Sequence, residues 1–307
     1  PGALWEGDRM LDYLVSIALT AGIYAIFALG LNLQWGYAGL LNFGHVAFMA
    51  MGAYVTVLLS LNGIPLLLAV LAGMILAGAA GAFLGMATLR LREDYLAIVT
   101  IGFSEILRFI LLNWSSLTRG SFGLFGYSRP FQNLVGVMDY NLFLAGLVLA
   151  VLILVYILLE TLARSPWGRV LKSIRDDEAV AISLGKNAFS YKVQALALGS
   201  AIAALSGSLL AFYLQYINPN NFQPIETFYA WIMVIMGGSG NNRGTILGAL
   251  ILWGFFSTTR FMEGYLSFSP TASSGARMVL IGLILIGLMM FRPQGLLGRK
   301  EELSIGR

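Results

Sequence analysis

Charged residues divide this chain into nine mostly apolar stretches, near residues 11–33, 43–61, 65–89, 95–114, 140–163, 193–217, 227–238, 245–262 and 276–291. A helix needs about 20 apolar residues to cross a bilayer, and within hydrocarbon every backbone N–H and C=O must be satisfied by the protein itself. Together these constraints predict an all-α polytopic membrane protein with about nine transmembrane helices, eight to ten at the limits. The spread comes from two irregular stretches, the Gly-rich run after the first span and the short run 227–238, each of which reads as a Gly-interrupted or re-entrant segment. Composition agrees: 58% of the 307 residues are hydrophobic and 11% charged, whereas soluble domains carry roughly a quarter charged residues.

The same composition removes several kinds of chemistry. With no cysteine and one histidine, the chain has no thiol nucleophile or disulfide framework and is a poor candidate for an all-protein catalytic metal site. The net charge of +4 reflects topology and gives no reason to expect a nucleic-acid partner. Arg90, Arg92, Arg164, Arg169, Lys172, Arg175, Lys186, Lys192, Arg243, Arg292, Arg299, Lys300 and Arg307 fall on one side of the nine spans. Arg9, Arg119 and Arg129 fall on the other, and Arg108, Arg260 and Arg277 lie near span ends. The positive-inside rule makes the rich side cytoplasmic, with the N-terminus outside and the C-terminus inside. The opening Pro1-Gly2-Ala3 lacks a methionine, which reads as a trimmed N-terminus, and the first apolar run reads as a retained span and not as a cleaved signal. One membrane domain, 1–307, is expected, with a long extracytoplasmic connection at 115–139 and a long cytoplasmic one at 164–192.

Residues 36–54, GYAGLLNFGHVAFMAMGAY, combine Gly36, Gly39, Gly44 and Gly52 with Asn42 and the lone His45. Glycines in an apolar run allow backbones to approach closely, and polar side chains at membrane depth must face the bundle interior or an aqueous path. A second cluster, Gly237, Gly238, Gly240, Gly244 and Gly248, lies in the other half, and such pairing points to an internal repeat around a translocation path. The candidate pathway or gate residues are therefore Gly36, Gly39, Asn42, Gly44, His45, Phe48, Gly237, Gly238 and Gly240. The alternative is structural: His45 donating to a neighbouring helix carbonyl, and glycines serving packing alone. Glu105 and Arg108, three apart on one span, read as an ion pair, with a proton relay as the alternative.

In the cytoplasmic connection, SPWGRVLKSIRDDEAVAISLGKNAFSYK, Asp176 and Asp177 are positioned to cap a short amphipathic helix that carries Val180 and Leu184 on one face and ends at Gly185. Together with GYAGLLNFGHVAFMAMGAY, LRLREDYLAIVTIGFSEILR, LTRGSFGL, VIMGGSGNNRGTILGALIL and FRPQGLLG, this loop resembles the ABC importer permeases of the branched-chain amino-acid type, in their longer second form, and close neutral amino-acid relatives. The resemblance covers about residues 32–297. It implies that 164–192 is a coupling loop presenting Arg175, Asp176, Asp177, Glu178, Ala179, Leu184 and Gly185 to an ATPase. One departure is that Glu178-Ala179-Val180 stands where the wider ABC importer pattern has Glu-Ala-Ala.

The resemblance further implies a permease subunit in a bacterial cytoplasmic membrane, surrounded by lipid and working by alternating access. Its partners are a homologous second permease, two cytoplasmic ATPases that bind ATP and Mg, and an extracytoplasmic substrate-binding protein. No cofactor and no catalytic residue are expected in this chain. No phosphate-binding Gly-x-x-x-x-Gly-Lys-Ser/Thr occurs, and in Gly238-Ser239-Gly240-Asn241-Asn242-Arg243-Gly244 the third glycine comes one residue late for a dinucleotide fingerprint. Urea importer permeases look very similar, and a proton-coupled secondary transporter using Glu105 belongs to a different class; both stay open at this point.

Overall fold

A computed structural model describes residues 2–89, 93–131, 140–263, 270–292 and 294–298. The chain runs through α1 (Gly2–Leu31), a π-helical extension (Asn32–Tyr37), α2 (His45–Leu61), α3 (Leu66–Thr88) and α4 (Glu93–Asn113). A short α5 (Ser115–Thr118) and strand β1 (Leu124–Phe125) lead to α6 (Tyr140–Arg164), α7 (Pro166–Asp176), α8 (Glu178–Ser183) and α9 (Ala188–Leu214). Strand β2 (Tyr216–Ile217), a 3-10 turn (Pro219–Phe222), α10 (Pro224–Gly237), α11 (Asn242–Glu263) and α12 (Pro270–Phe291) complete it. Among the described residues, α1–α4, α6 and α9–α12 match the nine expected spans. Among the described residues, five segments are long and apolar enough to cross a membrane: Asp12–Tyr37, Leu66–Thr88, Tyr95–Asn113, Tyr140–Arg164 and Ala188–Leu214. The helices α2 and α10 are apolar but short; at 1.5 Å per residue the 14 residues of α10 rise only about 21 Å. Of the basic residues used above for orientation, Arg90, Arg92, Arg299, Lys300 and Arg307 lie outside the described residues, as does 132–139 of the long connection after α4.

The bundle is built inside out relative to a soluble protein. On α3 the buried positions are Ala69, Gly73, Ala77, Gly81, Leu84, Gly85 and Thr88, a stripe of mainly small residues that brings α9 close, with Gly81 against Ser200. Its other faces expose Ile75 (70%) and Phe83 (71%), as suits contact with lipid. Spacings of three and four repeat on α6, where Tyr140, Leu144, Val148, Leu152, Val155, Leu159 and Ala163 are buried. The core is α1 and α9, which pack antiparallel: Ser16 bonds Tyr213 at 2.7 Å and Gly30 faces Gly199.

Contacts across this axis are reciprocal. The helix α9 packs on α2 and α3, while α1 packs on α10 and α11. Each half, α1–α4 and α9–α12, thus lends its first helix to the other, and the antiparallel α1–α9 pair makes the halves inverted with respect to each other. This arrangement matches the expected internal repeat.

Two ends can be distinguished. At one, Leu124 pairs with Ile217 and Phe125 with Tyr216 in an antiparallel ladder. At the other, α7 meets the end of the first span and the α10–α11 turn, with α8 packed on α7 and α9, and the tail docks on that turn through Leu296 N to Met236 O (2.9 Å) and Leu297 N to Gly237 O (3.0 Å). The tail thereby satisfies carbonyls that α10 leaves open at its C-terminus.

Candidate functional site

At the α7 end the broken first span forms a polar knot. After the π-helical turn, residues 38–44 are not helical, and their backbone groups need partners within the bundle. Gln34 is the hub. Its Nε2 donates to Leu196 O (3.0 Å) and Ser200 Oγ (3.3 Å), and its Oε1 accepts from Asn42 Nδ2 at 2.8 Å. Asn42 Oδ1 in turn accepts from Gly44 N (3.0 Å), and its backbone carbonyl accepts from Trp231 Nε1 (3.1 Å). At the start of α2, Val46 N donates to Thr227 Oγ1 at 3.0 Å, so the two short helices α2 and α10 meet at their N-terminal turns.

The candidate pathway residues all fall in or beside this knot. His45 is fully buried; its Nε2 donates to Phe27 O at 3.2 Å and its ring stacks on Phe27 at 4.8 Å. Phe48 is buried next to Phe103. At Gly44 a methyl would strike the Thr100 carbonyl, and at Gly237 it would strike Gly244, where the α10–α11 turn closes on itself. Gly36 lies against Gly240, and Gly39 against the Arg175 side chain. Gly238, at φ +111°, turns the chain out of α10 in a conformation that L side chains avoid. The fingerprint-like Gly-Asn-Asn-Arg-Gly proves to be a helix start, with Asn241 Oδ1 accepting from Arg243 N (3.0 Å) and Gly244 N (3.1 Å).

Sequence reasoning passed over Gln34, Asn32, Asn242 and Trp231. Asn32 donates to Asn242 Oδ1 at 3.0 Å and accepts from Gly240 N at 2.9 Å, which ties the two glycine clusters together. The available signal was an amide inside an apolar run, which at membrane depth marks a bonded network.

The segment 164–192 contains two helices where one was expected. Ser165 caps α7, accepting from Gly168 N at 3.3 Å, with Pro166 in the first turn; Leu171 and Ile174 face inward. Asp176 closes α7, and Asp177 alone caps α8, accepting from Val180 N at 3.0 Å. Gly185, at φ +78°, ends α8 in a Schellman arrangement, with Lys186 N bonding Ala181 O (3.1 Å) and Gly185 N bonding Ile182 O (2.9 Å). Ala181 is buried, whereas Val180, Ile182 and Leu184 are exposed. Polar links tie this pair to the bundle: Arg175 donates to Gly36 O, Trp167 Nε1 on α7 donates to Gln194 Oε1 on α9 at 2.8 Å, and Lys192 on α9 holds Glu178 at 2.7 Å. Ala179 lies in the first turn of α8.

A polar cavity of about 460 Å³ opens beside this pair, lined by Tyr37, Glu160, Arg164, Lys172, Asn242 and Arg243. At the strand end a second cavity of about 360 Å³ lies among α1, α9, α10 and α11. It reaches Glu226, whose Oε2 accepts from Tyr24 OH at 2.7 Å. On α4, Glu105 and Arg108 pair as expected, at 2.6 Å.

Residues 13–290 match the family described as branched-chain amino acid transport system / permease component. The chain is 34% identical over 306 residues to the high-affinity branched-chain amino acid transport system permease protein LivM of Escherichia coli (strain K12), covering 92% of this chain and 69% of that protein. It is 29% identical to the probable branched-chain amino acid transport permease protein LivM of Methanocaldococcus jannaschii, covering 96% of each chain. To the permease protein LivH of the E. coli system it is 25% identical, over 91% of this chain and 92% of that protein.

Proposed function

The chain belongs to the branched-chain amino acid transport permease family, and from that premise we propose that it is the membrane-spanning subunit of an ATP-driven, binding-protein-dependent importer of branched-chain or other neutral amino acids. Similarity to both LivM and LivH proteins indicates a permease pair, in which this chain takes the longer LivM-type place. Two ATPases that bind ATP and Mg, and an extracytoplasmic binding protein, complete the proposed assembly. The protein is a multi-pass inner-membrane protein. The proposed orientation sets α7 and α8 in the cytoplasm and the strand end outside, in keeping with Arg164, Arg169, Lys172, Arg175 and Lys186 at the first end.

The observation that carries this reading is the α7–α8 pair. An isolated six-residue helix is not stable in water, yet α8 is capped at both ends and leaves Val180, Ile182 and Leu184 outward. A surface of this kind suits docking into a groove of a soluble partner. Because Arg175 holds Gly36 O and Glu178 holds Lys192, a displacement of the pair by the ATPases pulls on the broken end of α1 and on α9, the two core helices. Arg175, Asp176, Asp177, Glu178, Ala179, Leu184 and Gly185 are the proposed coupling residues. The knot around Asn42, His45, Phe48 and the glycines Gly36, Gly39, Gly44, Gly237, Gly238 and Gly240 is the proposed gate.

Uptake of radiolabelled leucine and urea into proteoliposomes tests the reading, with the companion permease, the ATPases, external binding protein and internal ATP present. Leucine uptake that disappears without ATP is the expected result. Urea uptake alone, or uptake driven by a proton gradient without ATP, refutes it.

A further inference from the structure

The strand-end cavity contains a carboxylate, that of Glu226, which the packing of the bundle does not explain. Glu226 stands in the first turn of α10, where the helix dipole favours negative charge. Its hydrogen bond comes from Tyr24 OH, and among the described residues no cationic side chain pairs with it. An ionisable group inside a membrane bundle without a counter-charge marks a functional site.

The same cavity has the size and lining of a small-molecule site. Trp253 lies against Tyr24 with ring centroids 4.6 Å apart and planes tilted by 48°. Ile17, Leu210 and Phe256 supply apolar wall. The volume of about 360 Å³ lies within the roughly 300–1,000 Å³ range of small-molecule sites.

We infer that this cavity is a transit site for the imported amino acid, with its ammonium against Glu226 and its side chain against the apolar wall. This inference rests on the import reading above and adds a substrate site within the permease itself.

The test exploits the absence of cysteine. In the complete four-component transporter, the Ser257→Cys variant, altered at the cavity lining, is labelled from outside with a membrane-impermeant thiol reagent, and the label is read on this subunit after its separation from the others. Millimolar leucine is expected to slow labelling, while 4-methylpentanoate, which keeps the side chain and carboxylate but lacks the ammonium, does not. Glu226→Gln retains an acceptor for Tyr24 and nearly the same shape; it is expected to abolish protection and to lower uptake at least about ten-fold, the equivalent of about 1.4 kcal/mol. If the unmodified transporter imports leucine but the introduced thiol is unreactive, unprotected by leucine, or equally protected when Glu226→Gln is added, the cavity assignment falls and the import reading stands. If the unmodified transporter shows no ATP-dependent leucine uptake, both fall.

Discussion

Replacing Gln34 by leucine isolates the energetic weight of the knot that holds the broken first span. The two side chains are similar in size, so the change is chiefly one of polarity. Gln34 is fully buried and makes three side-chain hydrogen bonds, two as donor and one as acceptor. Leu196 O and Ser200 Oγ each lose a donor. Inter-helix hydrogen bonds in membranes contribute about 0.6 kcal/mol on average, so those two losses amount to roughly 1 kcal/mol. Asn42 Nδ2 loses its acceptor and is left buried, which costs about 1–3 kcal/mol. The expected destabilisation is therefore about 2–4 kcal/mol, or roughly 4–8 °C in midpoint at about 2 °C per kcal/mol for a chain of this size. Intrinsic tryptophan fluorescence during heating of the detergent-solubilised permease reads it. In a double-mutant cycle, Asn42→Ala made on top of Gln34→Leu should destabilise less than Asn42→Ala alone, by about 1 kcal/mol. A midpoint shift under about 1 °C, against the roughly 2 °C per kcal/mol expected, or strict additivity of the two changes, refutes the account of Gln34 as the hub.

Gly207→Ala places a methyl on the Met49 backbone where α9 crosses α2 and should cost about 1–3 kcal/mol through overpacking, whereas Gly102→Ala on α4, with open space around it, should leave the melting midpoint level or raise it. Asp177→Ala removes the α8 cap, worth about 1 kcal/mol; permease melting should barely move, while the ATP hydrolysis stimulated by loaded binding protein falls severalfold. Leu184→Asp changes an exposed side chain, so the permease should fold and melt normally yet fail to retain the ATPases in co-purification; intact retention would remove α8 as the docking helix.

Much of this protein was determined by its sequence alone, because hydrocarbon as a solvent leaves few options for a backbone. The apolar runs located the helices to within a few residues: the run 43–61 became His45–Leu61 and 140–163 became Tyr140–Arg164. Local rules found Asp177 and Gly185 as the ends of α8, since caps depend on residues three or four apart. The same rules did not show that Asp176 closes a separate helix, because α7 is held by tertiary burial: Leu171 joins the main core and Ile174 packs with Ala181 on α8 and Ala188 on α9. Tertiary structure alone decided which polar groups meet. Gln34 finds Ser200 across 166 positions, Asn32 finds Asn242 across 210, and Tyr24 finds Glu226 across 202. Periodicity records which face of a helix is buried but carries no record of the neighbour that buries it. The exchange of α1 and α9 between the two halves, which creates both the knot and the cavity, becomes visible only once the helices are packed.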